Sequence, residues 1–176
     1  MQTDYIDLYY AHEDDPDTPI EATLEAFNSL IQSGKVRYIA ASNFSASRLQ
    51  QSLEISERLG YARYIACQDH YNLLERDFED SLKPALEQNG LSELPYFGLA
   101  KGFLTGKYRP ETSIESVRAS GVTAYQNERG WALLGKLDEL AQEHQTSLSA
   151  ISLAWLRAQP TVAAPIASAR NLDQLK

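Results

Sequence analysis

A chain of 176 residues is long enough for one substantial hydrophobic core, or for one large piece of a bigger one. Its 43% hydrophobic and 23% charged residues are ordinary for a globular protein, and a net charge of −8 argues against a general nucleic-acid or membrane-surface binder. One cysteine, Cys67, excludes an internal disulfide framework and fits a reducing, cytoplasmic setting, and no stretch approaches the roughly 18 continuous apolar residues of a membrane span.

Residues 5–12 read Tyr-Ile-Asp-Leu-Tyr-Tyr-Ala-His and predict a buried strand that closes on an imidazole. Thr18, Pro19 and Glu21 then form a helix start, with Thr18 as cap; Ile20, Leu24, Phe27, Leu30 and Ile31 follow a helical stripe that Gly34 stops. A second buried strand over 36–41 ends in Ser42-Asn43. Ser45 caps the next helix, with Leu49, Leu53 and Ile55 inward and Gly60 at its end. A third strand over 64–67 ends in Gln68-Asp69-His70, and a third helix is expected over 75–89, before Gly90.

Residues 91–97 read as a weaker fourth strand, interrupted by Ser92 and Glu93. A glycine-punctuated segment from 98 to about 125 carries Lys101, Lys107 and Arg109; irregular connections this long are more often functional than incidental. Lys107 and Arg109 read as solvated surface charges. Helices over 128–144 and 148–159 follow, then a short strand over 162–166. Ser168-Ala169-Arg170-Asn171 opens a last helix.

Strands thus begin near residues 5, 36, 63, 91 and 162, and the first spacings of about 31, 27 and 28 match the βα unit of a (β/α)₈ barrel. Five strands do not close eight, so the chain reads as a single domain that is a contiguous, truncated piece of one α/β TIM barrel. In such folds chemistry sits at the carboxyl ends of the strands, which here carry His12, Ser42, Asn43, Gln68, Tyr96, Ser168 and Arg170.

Five stretches carry a resemblance: residues 4–9 with His12; Gly34-Lys35-Val36-Arg37-Tyr38-Ile39 with Ser42-Asn43-Phe44; Gln68 with Tyr71-Asn72; residues 95–108; and Pro165-Ile166-Ala167-Ser168-Ala169-Arg170. In order and spacing they resemble the aldo-keto reductases, NAD(P)H-dependent barrel oxidoreductases, in their bacterial long-loop form. The resemblance implies strands 4 to 8 of that barrel, about five βα units, without the first three units and the last helix. It implies reduction of an aldehyde or ketone by hydride transfer.

By that resemblance His12 is the active-site histidine that orients the substrate carbonyl. Ser42, Asn43 and Gln68 would hydrogen-bond the nicotinamide carboxamide, for which an amide side chain supplies both donor and acceptor. Tyr96 would pack on the nicotinamide ring, and Leu99, Lys101 and Gly102 would wrap the pyrophosphate. Ser168, Arg170 and Gln174 would hold the adenosine end, where a guanidinium at a helix start suits a 2′-phosphate and favours NADP(H). Taken alone, each has a plainer reading: a strand-end polar group for His12 and Gln68, a helix cap for Asn43, core for Tyr96, a solvated cation for Arg170.

No residue here matches the family's proton-donor tyrosine or its assisting lysine and aspartate, so the segment by itself is expected to lack turnover. Two readings of the same fold stay open beside the enzyme: an NADP-binding regulatory subunit without catalysis, and a catalytically dead fragment. An unrelated barrel hydrolase using His12 with Asp69 or His70 is a third alternative. Metal ligation is not expected, since Asp69 and His70 are successive and would point to opposite faces. A small carbonyl substrate is the expected partner, with neither nucleic acid nor membrane; open strand edges would favour self-association of a truncated barrel. Residues 98–125 carry no motif that selects one carbonyl compound.

Overall fold

The computed structural model of the chain describes residues 2–110, 119–169 and 172. They fall into two compact units, Met1–Asp69 with Phe78–Leu94, and His70–Asp77 with Pro95–Lys176.

The first unit is a parallel sheet with helices. Strands β1 (Ile6–Ala11), β2 (Val36–Ser42), β3 (Tyr64–Gln68) and β4 (Ser92–Glu93) pair in chain order, and helices α1 (Ile20–Gln32), α2 (Ala46–Leu59) and α3 (Leu82–Asn89) connect them. Parallel neighbours joined by crossover helices are the repeating βα unit expected from the sequence, four strands of it. Register runs Ala11↔Ala41↔Cys67↔Glu93, so the carboxyl ends of the strands finish side by side. Leu24, Ile39, Ala41, Leu49 and Leu86 are fully buried, and Tyr64 meets Phe27 and Phe44 edge-on.

Several local expectations change. β1 pairs only with β2 among the described residues and alternates between half-buried and exposed, with Tyr9 42% exposed, so it is an edge strand rather than a buried one. Thr18 does not cap α1: its hydroxyl donates to Asp15 Oδ2 at 2.7 Å in a turn over 15–18, and the helix begins after Pro19. The third helix is not continuous, because the ring of Pro84 would strike the carbonyl four residues back. A 3₁₀ turn at Asp77–Glu79 precedes α3, which starts at Leu82 and so keeps Pro84 in its first turn, where no N–H is needed.

Pro95 likewise limits β4 to two residues, since it cannot donate to a ladder. On α2, Ile55 is only half-buried, while Ser52 and Ser56 are buried with their hydroxyls donating to the carbonyls of Arg48 and Ala62. The cap at Ser45 forms as expected, its Oγ accepting from the Arg48 N–H at 3.2 Å. Ser45→Ala should therefore cost about 1 kcal/mol; urea denaturation of the two chains measures it, and an unchanged midpoint would contradict the capping role.

The second unit is helical. Tyr96 makes one parallel bridge with His70, followed by a 3₁₀ segment (Ala100–Thr105), the short helix α4 (Ala119–Val122), a 3₁₀ turn (Thr123–Tyr125), α5 (Glu128–Glu143) and α6 (Leu148–Arg157). Asn127 and Ser147 cap α5 and α6 through the N–H groups of Gly130 and Ala150. Its core gathers Leu74, Phe103, Leu104, Tyr108, Tyr125 and Leu134, with the Phe103 ring against Tyr125 and Trp131. The strand expected over 162–166 does not form. Pro165 interrupts it, and the Ile166 N–H donates to the Pro95 carbonyl at 2.9 Å. Among the described residues no helix is long and apolar enough to cross a membrane.

Candidate functional site

In the first unit the ends of three strands are linked by side chains. Ser42, 1% exposed, donates from Oγ to the Gln68 carbonyl at 2.7 Å, one strand over. Asn43 follows with φ 57°, a left-handed backbone that asparagine tolerates better than most residues. From there its Nδ2 donates to the His12 carbonyl at 3.0 Å and to Ser42 Oγ at 3.0 Å. His12, Ser42, Asn43 and Gln68, separated by up to 56 positions in sequence, are thus gathered at one end of the sheet.

Two acids join them. The Asn43 N–H donates to Asp69 Oδ1 at 3.2 Å, and the Asp69 N–H donates to Glu93 Oε1 at 2.8 Å. Glu93 is 0% exposed, and the second oxygens of both carboxyls, Asp69 Oδ2 and Glu93 Oε2, are buried with no hydrogen-bond partner. Loss of hydration disfavours the charged form of each. Burial pushes the Asp69 carboxyl up to about 6, opposed by the Asn43 N–H. Burial, then the charge of Asp69, pushes Glu93 up to about 8. Burial likewise raises the Cys67 thiol, with Asp69 and Glu93 adding, which agrees with an inert core cysteine.

Neither acid was read from the sequence as part of a site. In sequence Asp69 reads only as a candidate metal ligand or a hydrolase partner for His12, and Glu93 only as a break in a strand. A charged residue between Leu91 and Leu94 was the available signal.

The second unit holds the other group of candidates. Tyr96 stacks on His70 with ring centroids 5.4 Å apart and planes 16° from parallel, and Phe97 stands edge-on to both. Burial lowers the His70 pKa, Lys101 adds to that, and Glu75 and Asp77 oppose it. Asn72 fastens this segment, donating from Nδ2 to the Phe97 carbonyl and accepting at Oδ1 from Leu74 and Glu75.

Beyond Tyr96 the chain turns tightly: Phe97, Ala100, Lys101 and Gly102 all have positive φ, and the Leu99 carbonyl accepts from the N–H of Gly102 and of Leu104. Lys101 Nζ lies 5.3 Å over the Phe97 ring. Lys107 is exposed, as expected, whereas Arg109 is tied to Asp138 at 2.8 Å and is only part-exposed. Ser168 is exposed and in no regular element; Arg170 and Gln174 lie outside the described residues.

Comparison with known proteins bears on the family. The model described as the aldo/keto reductase family matches residues 1–176. The chain is 33% identical over 184 residues to L-glyceraldehyde 3-phosphate reductase of Escherichia coli O157:H7, covering 100% of this chain and 53% of that protein. It is 32% identical over 177 residues to the uncharacterized oxidoreductase YrpG of Bacillus subtilis (strain 168), covering 100% and 53%. It is also 29% identical over 161 residues to versiconal hemiacetal acetate reductase of Aspergillus parasiticus, covering 89% and 47%. The chain spans about half the length of these relatives. With residues 1–176 of the chain matched by the family's model and a parallel βα sheet whose polar strand ends converge, the chain belongs to the aldo/keto reductase family.

Proposed function

We propose that the protein containing this chain reduces an aldehyde or ketone with NADPH, and that these residues supply its histidine and part of its cofactor site. The observation that carries the reading is the hydrogen-bonded cluster of His12, Ser42, Asn43 and Gln68 at the carboxyl ends of β1 to β3. A hydroxyl and two primary amides form a donor and acceptor set that fits a carboxamide. When bound, the dinucleotide supplies the hydride.

His12 is solvent-exposed one residue past β1, where an imidazole N–H is available to a substrate carbonyl oxygen and withdraws charge from it. Asn43 and Gln68 bind and orient the carboxamide. Tyr96, its ring plane fixed by His70, packs on the nicotinamide. Leu99, Lys101 and Gly102 bind the pyrophosphate; with no side chain and a φ of 100°, Gly102 permits close backbone approach. Ser168, Arg170 and Gln174 bind the adenosine 2′-phosphate, which favours NADPH over NADH. The acid that protonates the alkoxide comes from outside these residues.

Fluorescence titration of the 176-residue chain with NADPH tests the reading. Saturable binding is expected, weakened about tenfold or more in Asn43→Leu, since that change leaves polar groups of the ligand unpaired. Aldehyde turnover by the same sample is expected to be negligible. Absence of saturable binding would sink the cofactor assignment, and sustained turnover would sink the assignment of the acid elsewhere.

A further inference from the structure

The left-handed backbone at Asn43 is a conformation that its surroundings must hold in place. The group that holds its N–H is Asp69, and the group that holds the N–H of Asp69 is Glu93. This chain of two bonds runs from a fully buried residue of β4, through the residue after β3, to the residue after β2 that carries the candidate amide. Each carboxyl spends one oxygen on the relay and keeps the other buried without a partner. A carboxyl that only packed, or only capped a loop, gains nothing from an orphan oxygen there, because an unpaired buried acceptor is destabilising.

We propose that Asp69 and Glu93 are positioning residues for Asn43, and that the grip of Asn43 on its ligand follows the proton occupancy of this carboxyl pair. The proposal rests on the cofactor reading above for the identity of the ligand. An ionised Asp69 is the stronger acceptor for the Asn43 N–H, and protonation weakens that bond. A second negative charge on Glu93 beside it is disfavoured by proximity and burial.

The titratable groups facing the pair are the Tyr10 phenol from β1, which feels Glu93, and the Cys67 thiol from β3, which feels both acids. Neither supplies a positive charge. One proton on the pair, with Asp69 ionised, is the arrangement these contacts favour near neutrality. It agrees with the upward displacement of both carboxyls, Glu93 further than Asp69. Acidification through about pH 6 then weakens the hold on Asn43.

The test uses the 176-residue chain as wild type, Asp69→Asn, Asp69→Ala and Glu93→Gln, each followed by amide NMR from pH 5 to 8 and by NADPH fluorescence titration. In the wild type the Asn43 amide resonance should move with a midpoint near pH 6, and NADPH affinity should fall about tenfold from pH 7.5 to pH 5 along the same curve. Asp69→Asn keeps an uncharged acceptor, as the protonated acid does, so it should flatten both curves near the wild-type affinity at pH 5. Asp69→Ala should flatten both curves too and bind about tenfold more weakly than wild type at pH 7.5, with the difference closing by pH 5. Glu93→Gln should keep the Asn43 transition.

A wild-type chain that binds NADPH while its Asn43 amide stays unmoved over this range overturns the relay alone. So does Asp69→Ala binding as tightly as wild type at pH 7.5. A wild-type chain that binds no NADPH overturns the cofactor reading, and with it the ligand named here.

Discussion

Replacing Glu93 by glutamine should stabilise the chain far more at pH 8 than at pH 5. The glutamate is fully buried, its Oε2 has no partner, and its carboxyl is raised from 4.5 to about 8. Between those two values the folded state holds a proton that the unfolded state has released. Stability therefore falls as pH rises through this window, and the full cost is present above pH 8. At about 1.4 kcal/mol per unit, the wild-type loss attributable to Glu93 between pH 4.5 and 8 is on the order of 4 kcal/mol.

Asp69, raised from 3.8 to about 6, adds a slope of the same sign that ends near pH 6. Glutamine keeps the Oε1 acceptor for the Asp69 N–H and carries no proton to lose, so only the Asp69 slope should survive in Glu93→Gln. Urea denaturation at pH 5, 6.5 and 8 measures this directly. Parallel stability curves for the two chains would show that Glu93 titrates near its ordinary value and that its burial costs nothing in this range.

The second large effect is a glycine in α5. Alanine is the better helix former by roughly 1 kcal/mol, so propensity alone favours Gly130→Ala. The fold does not allow it: a Cβ there would lie 1.9 Å from the Tyr125 carbonyl oxygen and 3.1 Å from Phe103 Cζ. The Tyr125 carbonyl also accepts from the Asn127 N–H at 2.9 Å, and Asn127 caps the helix through the Gly130 N–H itself. A methyl group must therefore move the backbone that starts α5, against a core ring that is 0% exposed. We expect a loss of about 3 kcal/mol.

Gly135 in the same helix is the control, exposed and with nothing within 4 Å of a built Cβ. Gly135→Ala should gain about 0.5 to 1 kcal/mol. Equal effects at the two positions would mean that helix propensity, not contact with Tyr125, governs Gly130.

Much of this architecture was legible because its signals are local. The apolar runs of β1 to β3 stand about 30 residues apart, Ser45 is followed by an apolar stripe, and Gly60 and Gly90 end helices with φ of 66° and 65°. Each of these depends on neighbours within a few positions. The misread boundaries have a local cause too: Pro84, Pro95 and Pro165 each lack an N–H, and each cuts short an element that hydropathy alone would extend. Thr18 was lost as a cap because Asp15, three residues back, competes for its hydroxyl.

The candidate site divides along the same line. That His12, Ser42, Asn43 and Gln68 end strands follows from the hydropathy pattern, and a parallel sheet with matched register must then bring those ends together. The sequence by itself determined which residues stand at the rim. Only the tertiary structure decided how they are held, because the partners of Asn43 lie 26 and 31 positions away and Glu93 lies 24 beyond Asp69. A charge in a short strand reads as a solvent-facing break until the packing around it is known; here packing removed its water and left Asp69 as its neighbour. Burial and charge proximity are properties of the folded packing, and they set the protonation of the two acids.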